Sequence, residues 1–483
     1  ETVSTNSFIT THMFDYNYLF NIQSSNARVS VSGQSHSETW SMVTSGNVSY
    51  GSPTLDFIFG EADNGGQLSN PNNRSDRNRY HSATTISSGI YSQALGEMLF
   101  SPDNGFDPAT GTGVLGKTYL GTGDHLFQIM DDPSDEHYGY YYYDSLRNAI
   151  SYNQSNSRFY VYEYLAATSD AIGSSYADFL PLNSPYANTN GKTVATYNYA
   201  GVDGEYQGVP HYRYDTDYSS GNYNSENNVY TEFAYGMRSD IHFYLPTDPG
   251  SGGNKDLRGN DIEFHFSGDD DLWVLIDGIL VLDIGGIHQR VGGDINFSTG
   301  VVTVNGKQAT SLMDLGITAG DHTMTVLYLE RGGSMSNCSI YFNLVPRFGL
   351  EIQKEDVLTQ QVLNGAQFTV YKDFACTTPA ELWISEEAYN LDRADGVLDQ
   401  FQSTFTVVDG KMPIWGFGSG VTYYIKETGS PTAEGYGLPD GVIRLTVEKA
   451  GLASYRVDVV ADADGNQPSK GFTVHGVHID EKT

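Results

Sequence analysis

Three consecutive aspartates, Asp269, Asp270 and Asp271, stand between two apolar runs, Phe264 to Phe266 before them and Leu272 to Ile276 after them. Carboxylates held this close repel one another, so the cluster either lies in a solvated turn or is neutralised by a cation. A hard divalent ion suits it. Calcium takes its ligands from oxygen, and a carboxylate pair, an amide oxygen and loop carbonyls make up a shell. The amide is supplied by Asn337, at the start of a later apolar run. If strands pair in order, both loops open at the same end of a sandwich. Such a shell can keep open positions for the vicinal hydroxyls of a sugar. The predicted chemistry is metal-mediated recognition. No enzyme is expected, because catalysis would need a second positioned acid or base and none is identifiable.

The elements that position these residues read as strands. Ile262, Phe264 and Phe266 alternate with Glu263, His265 and Ser267, the pattern of a half-buried strand. Asp277-Gly278 between Leu272–Ile276 and Ile279–Leu282 predicts a two-residue hairpin, whose turn needs positive φ at both positions. Asp283 to His288 leaves the sheet as a glycine-rich loop. Ala319 to His322 predicts a turn, Thr323 to Leu329 a strand, residues 330–337 a loop, and Ser339 to Val345 the last strand of this region. Tyr138 to Asp144 predicts a strand and a tyrosine-lined surface, read as sheet packing or as a stacking platform for sugars. Residues 174–227 carry many Tyr, Asn, Gly and Asp with little periodicity and predict long loops.

The whole chain bounds the functions these elements can serve. Its 483 residues exceed one hydrophobic core and suit two to four domains. With 35 tyrosines, 23 phenylalanines, 53 glycines and short β-branched runs, the fold class is all-β. A formal net charge of −33 disfavours nucleic acid and anionic lipid as partners, and it suits either calcium or simple solubility. The two cysteines, Cys338 and Cys376, exclude a disulfide-rich scaffold and a cysteine zinc site, and two lone buried thiols are expected. No apolar run reaches membrane-spanning length and no signal-like start is present, so the chain reads as a monomeric, excised or mature fragment of something longer. Texture changes at Pro346 to Gly349, where lysine becomes commoner, giving domains at 1–348 and 349–483.

The run Phe264 to His288, with Ala319 to His322 and Glu330 to Asn337, resembles the fibro-slime signature. That family is related to the protective-antigen-type (PA-14-like) β-sandwich, here with long loop insertions. The resemblance implies a lectin in which two adjacent aspartates joined by a cis peptide bind calcium and a later asparagine completes the site. By position these are Asp270, Asp271 and Asn337, with Asp269–Asp270 as the alternative register. His288 would then be a loop hydrogen-bonder and Glu330–Arg331 an internal ion pair.

Ile352 to Lys354, Gly365 to Tyr371 and Tyr424 to Tyr436 resemble the collagen-adhesin B-type (Cna-B, pilin-like) sandwiches of Gram-positive surface proteins. That resemblance implies an intramolecular isopeptide bond between a first-strand lysine, Lys354, and a last-strand side chain, promoted by a buried acid, Glu427. Family members use asparagine on the last strand; here Phe472 to Asp480 has none, and Asp480 stands in its place. Together the two resemblances imply a cell-wall adhesin binding an extracellular carbohydrate or glycoprotein through calcium. The alternative is a spacer or protein-binding module in which calcium is only a staple.

Overall fold

The computed structural model describes residues 8–16, 27–30, 39–42, 99–103, 117–145, 147–163, 179, 181–182, 198–199, 223–224, 229–230, 235–256, 258–268, 271–284, 290–330, 337–356, 358–395, 399–439, 441–449 and 455–460. These form antiparallel sheets with one ten-residue helix, so the chain is all-β. By internal packing it divides into two units. The first holds Glu1–His242, Thr247–Asn254 and Asp261–Leu344, and the second holds Phe243–Pro246, Lys255–Asn260 and Val345–Thr483.

The core of the first unit lies between a six-stranded and a seven-stranded sheet. In spatial order the six-stranded sheet runs Ile279–Ile284, Asp271–Ile276, Gly320–Glu330, Tyr235–Leu245, Ile9–Tyr16, Lys117–Gly123. The other runs Lys307–Ser311, Val301–Val304, Val291–Asn296, Glu263–Gly268, Cys338–Phe342, Tyr141–Asp144, Gln128–Ile129. Period-two alternation decides which face each side chain meets. Phe264 and Phe266 are buried while Glu263, His265 and Ser267 are half-exposed, as the alternation predicts. A Cβ on Gly293 would sit 2.6 Å from Ile284 Cδ1 and 2.8 Å from Leu282 Cδ2, so only glycine lets the two sheets approach there.

The hairpin at Asp277-Gly278 forms with φ of 50° and 80°, and Leu272 pairs with Ile284 across it. The turn expected at Ala319 to His322 is shorter, because the strand already begins at Gly320. Of the tyrosine run, Tyr140, Tyr141 and Tyr143 are buried and Tyr142 is half-exposed, so packing accounts for most of it. The loops expected at 174–227 fall almost wholly outside the described residues; of the loop expected at Asp283 to His288, Asp283 and Ile284 instead end the strand Ile279–Ile284, because their backbone pairs with Trp273 and Leu272, and the rest lies outside.

In the second unit, Phe348–Gln353 pairs with Lys411–Phe417, and a five-stranded sheet runs Thr404–Thr406, Gln367–Tyr371, Thr422–Gly429, Ile443–Lys449, Tyr455–Val460. Its core gathers Phe348, Leu350, Phe368, Val370, Leu382, Phe405, Ile414, Phe417 and Ile425. The helix Glu386–Asp395 was not foreseen. Its Ser385 hydroxyl accepts the Ala388 N–H at 3.2 Å as an N-terminal cap, and Glu386 and Glu387 sit in the first turn. Trp383 Nε1 donates to the buried Asp392 carboxylate at 2.7 Å, which ties the helix to the sandwich. Cys338 and Cys376 form no disulfide. Cys338 is buried as expected, whereas Cys376 is half-exposed in a turn at φ 54°, because Asp373 folds that turn outward by accepting the Thr377 and Thr378 amides.

Candidate functional site

Two places carry the residues singled out above. The first is one end of the first unit's sandwich. Gly268 pairs with Cys338 and also with Val291, while Asp271 pairs with Leu329 and Leu272 with Ile284. The strand ends at Gly268, Asp271, Ile284, Val291, Glu330 and Cys338 therefore lie at the same end. Gly268 and Asn337 are in close approach: a Cβ at 268 would stand 2.2 Å from the Asn337 carbonyl oxygen. Asp269, Asp270, His288 and Arg331 lie outside the described residues.

Asp271 is wholly buried, and Asn337 is half-buried. Two further acids sit at this end, both wholly buried: Glu330, which the resemblance pairs with Arg331, and Asp283, which was not singled out. Asp283 pairs with Trp273, two residues along from Asp271, so Asp271, Trp273 and Asp283 share one face of the six-stranded sheet. That face is covered in part by Phe100, whose ring meets Trp273 edge-on at 6.4 Å. Glu330 belongs to the opposite, inter-sheet face, where it accepts the Tyr328 hydroxyl at 3.1 Å. A polar position within an otherwise apolar strand, Asp283 after Leu280-Val-Leu, was the signal that could have found the second acid. Among the described residues, no group of three or more His, Cys, Asp or Glu side chains is arranged to hold a metal ion. A shell at this end therefore needs oxygen atoms from Asp269 or Asp270.

The second place is in the second unit. Lys354 follows the strand Phe348–Gln353, and Glu427 lies on Thr422–Gly429 opposite Phe368. The Lys354 ammonium donates to Glu427 Oε2 at 2.8 Å and lies 5.3 Å from the centre of the Phe368 ring. The carboxylate is 3% exposed and the lysine side chain 17%. Glu427 Oε1 is buried and has no hydrogen-bond partner among the described residues. The sequence thus places an acid and an amine in contact across 73 positions, in an apolar setting where each charge depends on the other. Asp480 lies outside the described residues.

Residues 348–460 match the model of the SpaA prealbumin-like fold domain. Among curated proteins, psiD of Dictyostelium discoideum is 38% identical over 82 residues, 17% of this chain and 13% of that protein. Protein psiI of the same organism is 36% identical over 83 residues, 17% of this chain and 9% of the relative. The chain therefore spans only a small part of the length of the curated relatives it matches. Among solved structures, the group B streptococcus pilus 2b backbone protein is 16% identical, covers 44% of this chain and 86% of its own, and has a TM-score of 0.17. The C-terminal fragment of the pilus adhesin SpaC from Lactobacillus rhamnosus GG is 15% identical, covers 46% and 87%, and has a TM-score of 0.19. Superpositions this poor carry no argument. The family match and the strands seen at 348–460 agree that the second unit carries a prealbumin-like β-sandwich domain.

Proposed function

We propose that this chain is a piece of an extracellular surface protein of a Gram-positive bacterium, with an adhesive first unit carried on a pilin-type structural sandwich. In this reading a calcium ion is held at the strand end by Asp270 and Asp271, or by Asp269 and Asp270, with Asn337. The ion would supply countercharge to the carboxylates and coordination positions for glycan hydroxyls. The observation that carries the reading is the register. Gly268 stands opposite Cys338 and Asp271 opposite Leu329, so the described residues that flank the aspartate run are at the sheet end that holds Asn337, which supports the reading. The donor chemistry fits a hard cation, since carboxylate and amide oxygens dominate this end. No turnover is part of the reading. Calorimetric titration of the full chain with calcium, then with a glycan panel with and without EDTA, tests it. Calcium should bind, and Asp271→Asn and Asn337→Ala should each weaken it by about tenfold or more. A chain that takes up no calcium, or binds calcium but no glycan, overturns the adhesive assignment.

A second reading, a structural spacer, is favoured by the Lys354–Glu427 contact. In it the Lys354 amine attacks the Asp480 carboxyl, an amide forms and one water leaves. Glu427 takes the ammonium proton and returns it to the departing hydroxyl. Glu427 Oε2, which accepts from the Lys354 ammonium at 2.8 Å, is the atom that would take that proton. Intact mass decides: a chain lighter by one water carries the bond, and an unchanged mass removes it.

A further inference from the structure

The outer face of the first unit's seven-stranded sheet is half-open to solvent, and one cross-strand row on it has an unusual composition. Asp294 stands opposite His265, His265 opposite Tyr341, and Tyr341 opposite Tyr142, with Thr303 beside Asp294. All five are half-exposed. The Tyr142 and Tyr341 rings lie almost parallel, 5.5 Å apart at 15°. His137 tilts against Tyr341 at 4.6 Å and meets His265 edge-on at 5.7 Å.

The polar groups around these rings hold one another in place. Asp294 accepts the Thr303 hydroxyl at 2.8 Å and contacts His265 Nδ1 at 2.8 Å. Glu263 accepts the Tyr140 hydroxyl at 2.7 Å and lies 3.1 Å from His265 Nε2. At the other side Arg147 donates to Asp135 at 2.9 Å, and Tyr341 donates to Asp144 at 2.7 Å. Ordering so many polar side chains on a partly wet face costs conformational entropy that folding of the sheet does not require. Threonines and scattered charges would serve the sheet as well.

We propose that this row is a metal-independent platform for neutral sugar units. A pyranose ring presents a face of C–H bonds to an aromatic face and a rim of hydroxyls to fixed donors and acceptors, and this row offers both side by side. From Asp294 to Tyr142 it crosses three strand spacings, ~14 Å, enough for a short oligosaccharide. The carboxylates of Asp135, Asp144, Glu263 and Asp294 disfavour uronic or sialic acids, and the charge of Arg147 and His265 disfavours a cationic ligand. No residue of the calcium reading takes part, so the two stand or fall separately.

The test is calorimetric titration of the full chain, in EDTA, with neutral gluco-, manno- and galacto-oligosaccharides. At least one should bind saturably. Tyr142→Ala should weaken it by about tenfold and Tyr142→Trp should restore it to within about threefold, with unchanged circular dichroism for both. Absence of binding in EDTA across the panel overturns the proposal, as does Tyr142→Ala binding like the parent. Binding seen only with calcium also overturns it, while leaving the strand-end reading intact.

Discussion

The two units bury acid in opposite ways. In the second, the buried carboxylate of Glu427 is met by one ammonium, that of Lys354, at 2.8 Å, in an otherwise apolar setting. In the first, three wholly buried acids, Asp271, Asp283 and Glu330, gather toward the ends of three neighbouring strands, where loops leave the sheet. Strand alternation then divides them, two to one face and one to the other. A sandwich that bears load is served by a closed pair. One that recognises a ligand is served by polar groups collected at a strand end or along an open face, where something from outside can join them.

Breaking the closed pair should have the largest effect. Lys354→Met leaves Glu427 buried without its ammonium and should cost the second unit about 3–5 kcal/mol. Urea unfolding followed through Trp383 and Trp415 reads this unit directly. The double variant Lys354→Met/Glu427→Met should recover most of the loss, since an apolar pair of similar volume replaces an ionic one at little net cost. A double variant as unstable as the single would mean that the lysine does more than neutralise the acid.

The matching test in the first unit is Gly268→Ala. The new methyl would meet the Asn337 carbonyl at 2.2 Å, and backbone cannot yield as a side-chain tip can. A loss of about 3 kcal/mol is expected, with a weakened calcium response. Gly292→Ala on the adjoining strand is the control. Its nearest atom would be the Phe266 carbonyl at 3.8 Å, and it should change stability by less than ~1 kcal/mol. Equal losses for the two would remove the special role of the 268–337 approach.

What the sequence made legible was local. The alternation of 262–267, the Asp277-Gly278 turn and the strands around 367–371 and 422–429 are written in periods of two and in turn chemistry, and they form as read. The helix was missed because its start signal, Ser385-Glu-Glu, precedes a run with few apolar residues, and its anchor is a tertiary bond from Trp383 to Asp392. The row Asp294–His265–Tyr341–Tyr142 was illegible for a deeper reason. Its members come from strands up to 199 positions apart, so that only register brings them together. Asp283 is an intermediate case: its apolar run is visible in sequence, but a polar residue near a strand end also reads as the start of a loop.

That row yields the next effect, on pH. Burial lowers the affinity of His265 for its proton, but the bonds to Asp294 and Glu263 outweigh it and hold the imidazole at about 9. With the folded value raised above the unfolded one, the stabilisation is fully present below about pH 6.5 and is lost as pH rises through about 9. Discounted for the 29% exposure of the side chain, the contribution is about 2 kcal/mol. The first unit's melting temperature should therefore fall between pH 6.5 and 9.5, and His265→Gln should flatten that slope. A parent profile as flat as the variant's would show that the imidazole is not charged in the folded chain.

The smallest effect separates charge from geometry at the hairpin. Asp277 Oδ1 accepts the Thr323 N–H at 2.8 Å, and Oδ2 faces His322 Nδ1 at 2.7 Å, so one side chain ties the turn to the neighbouring strand. Asp277→Ala removes both contacts and puts alanine at φ 50°, for a cost of about 1–2 kcal/mol. Asp277→Asn keeps an acceptor for Thr323 and tolerates the left-handed backbone, but loses the attraction for the imidazolium. Burial lowers the pKa of His322, yet its bonds to Asp277 and Thr318 raise it overall, so its stabilisation is present in acid and fades as pH rises through the folded value. The asparagine variant should accordingly lose up to ~1 kcal/mol near pH 5.5 and almost nothing in alkali. A loss independent of pH would mean that the carboxylate acts only as an acceptor in the turn.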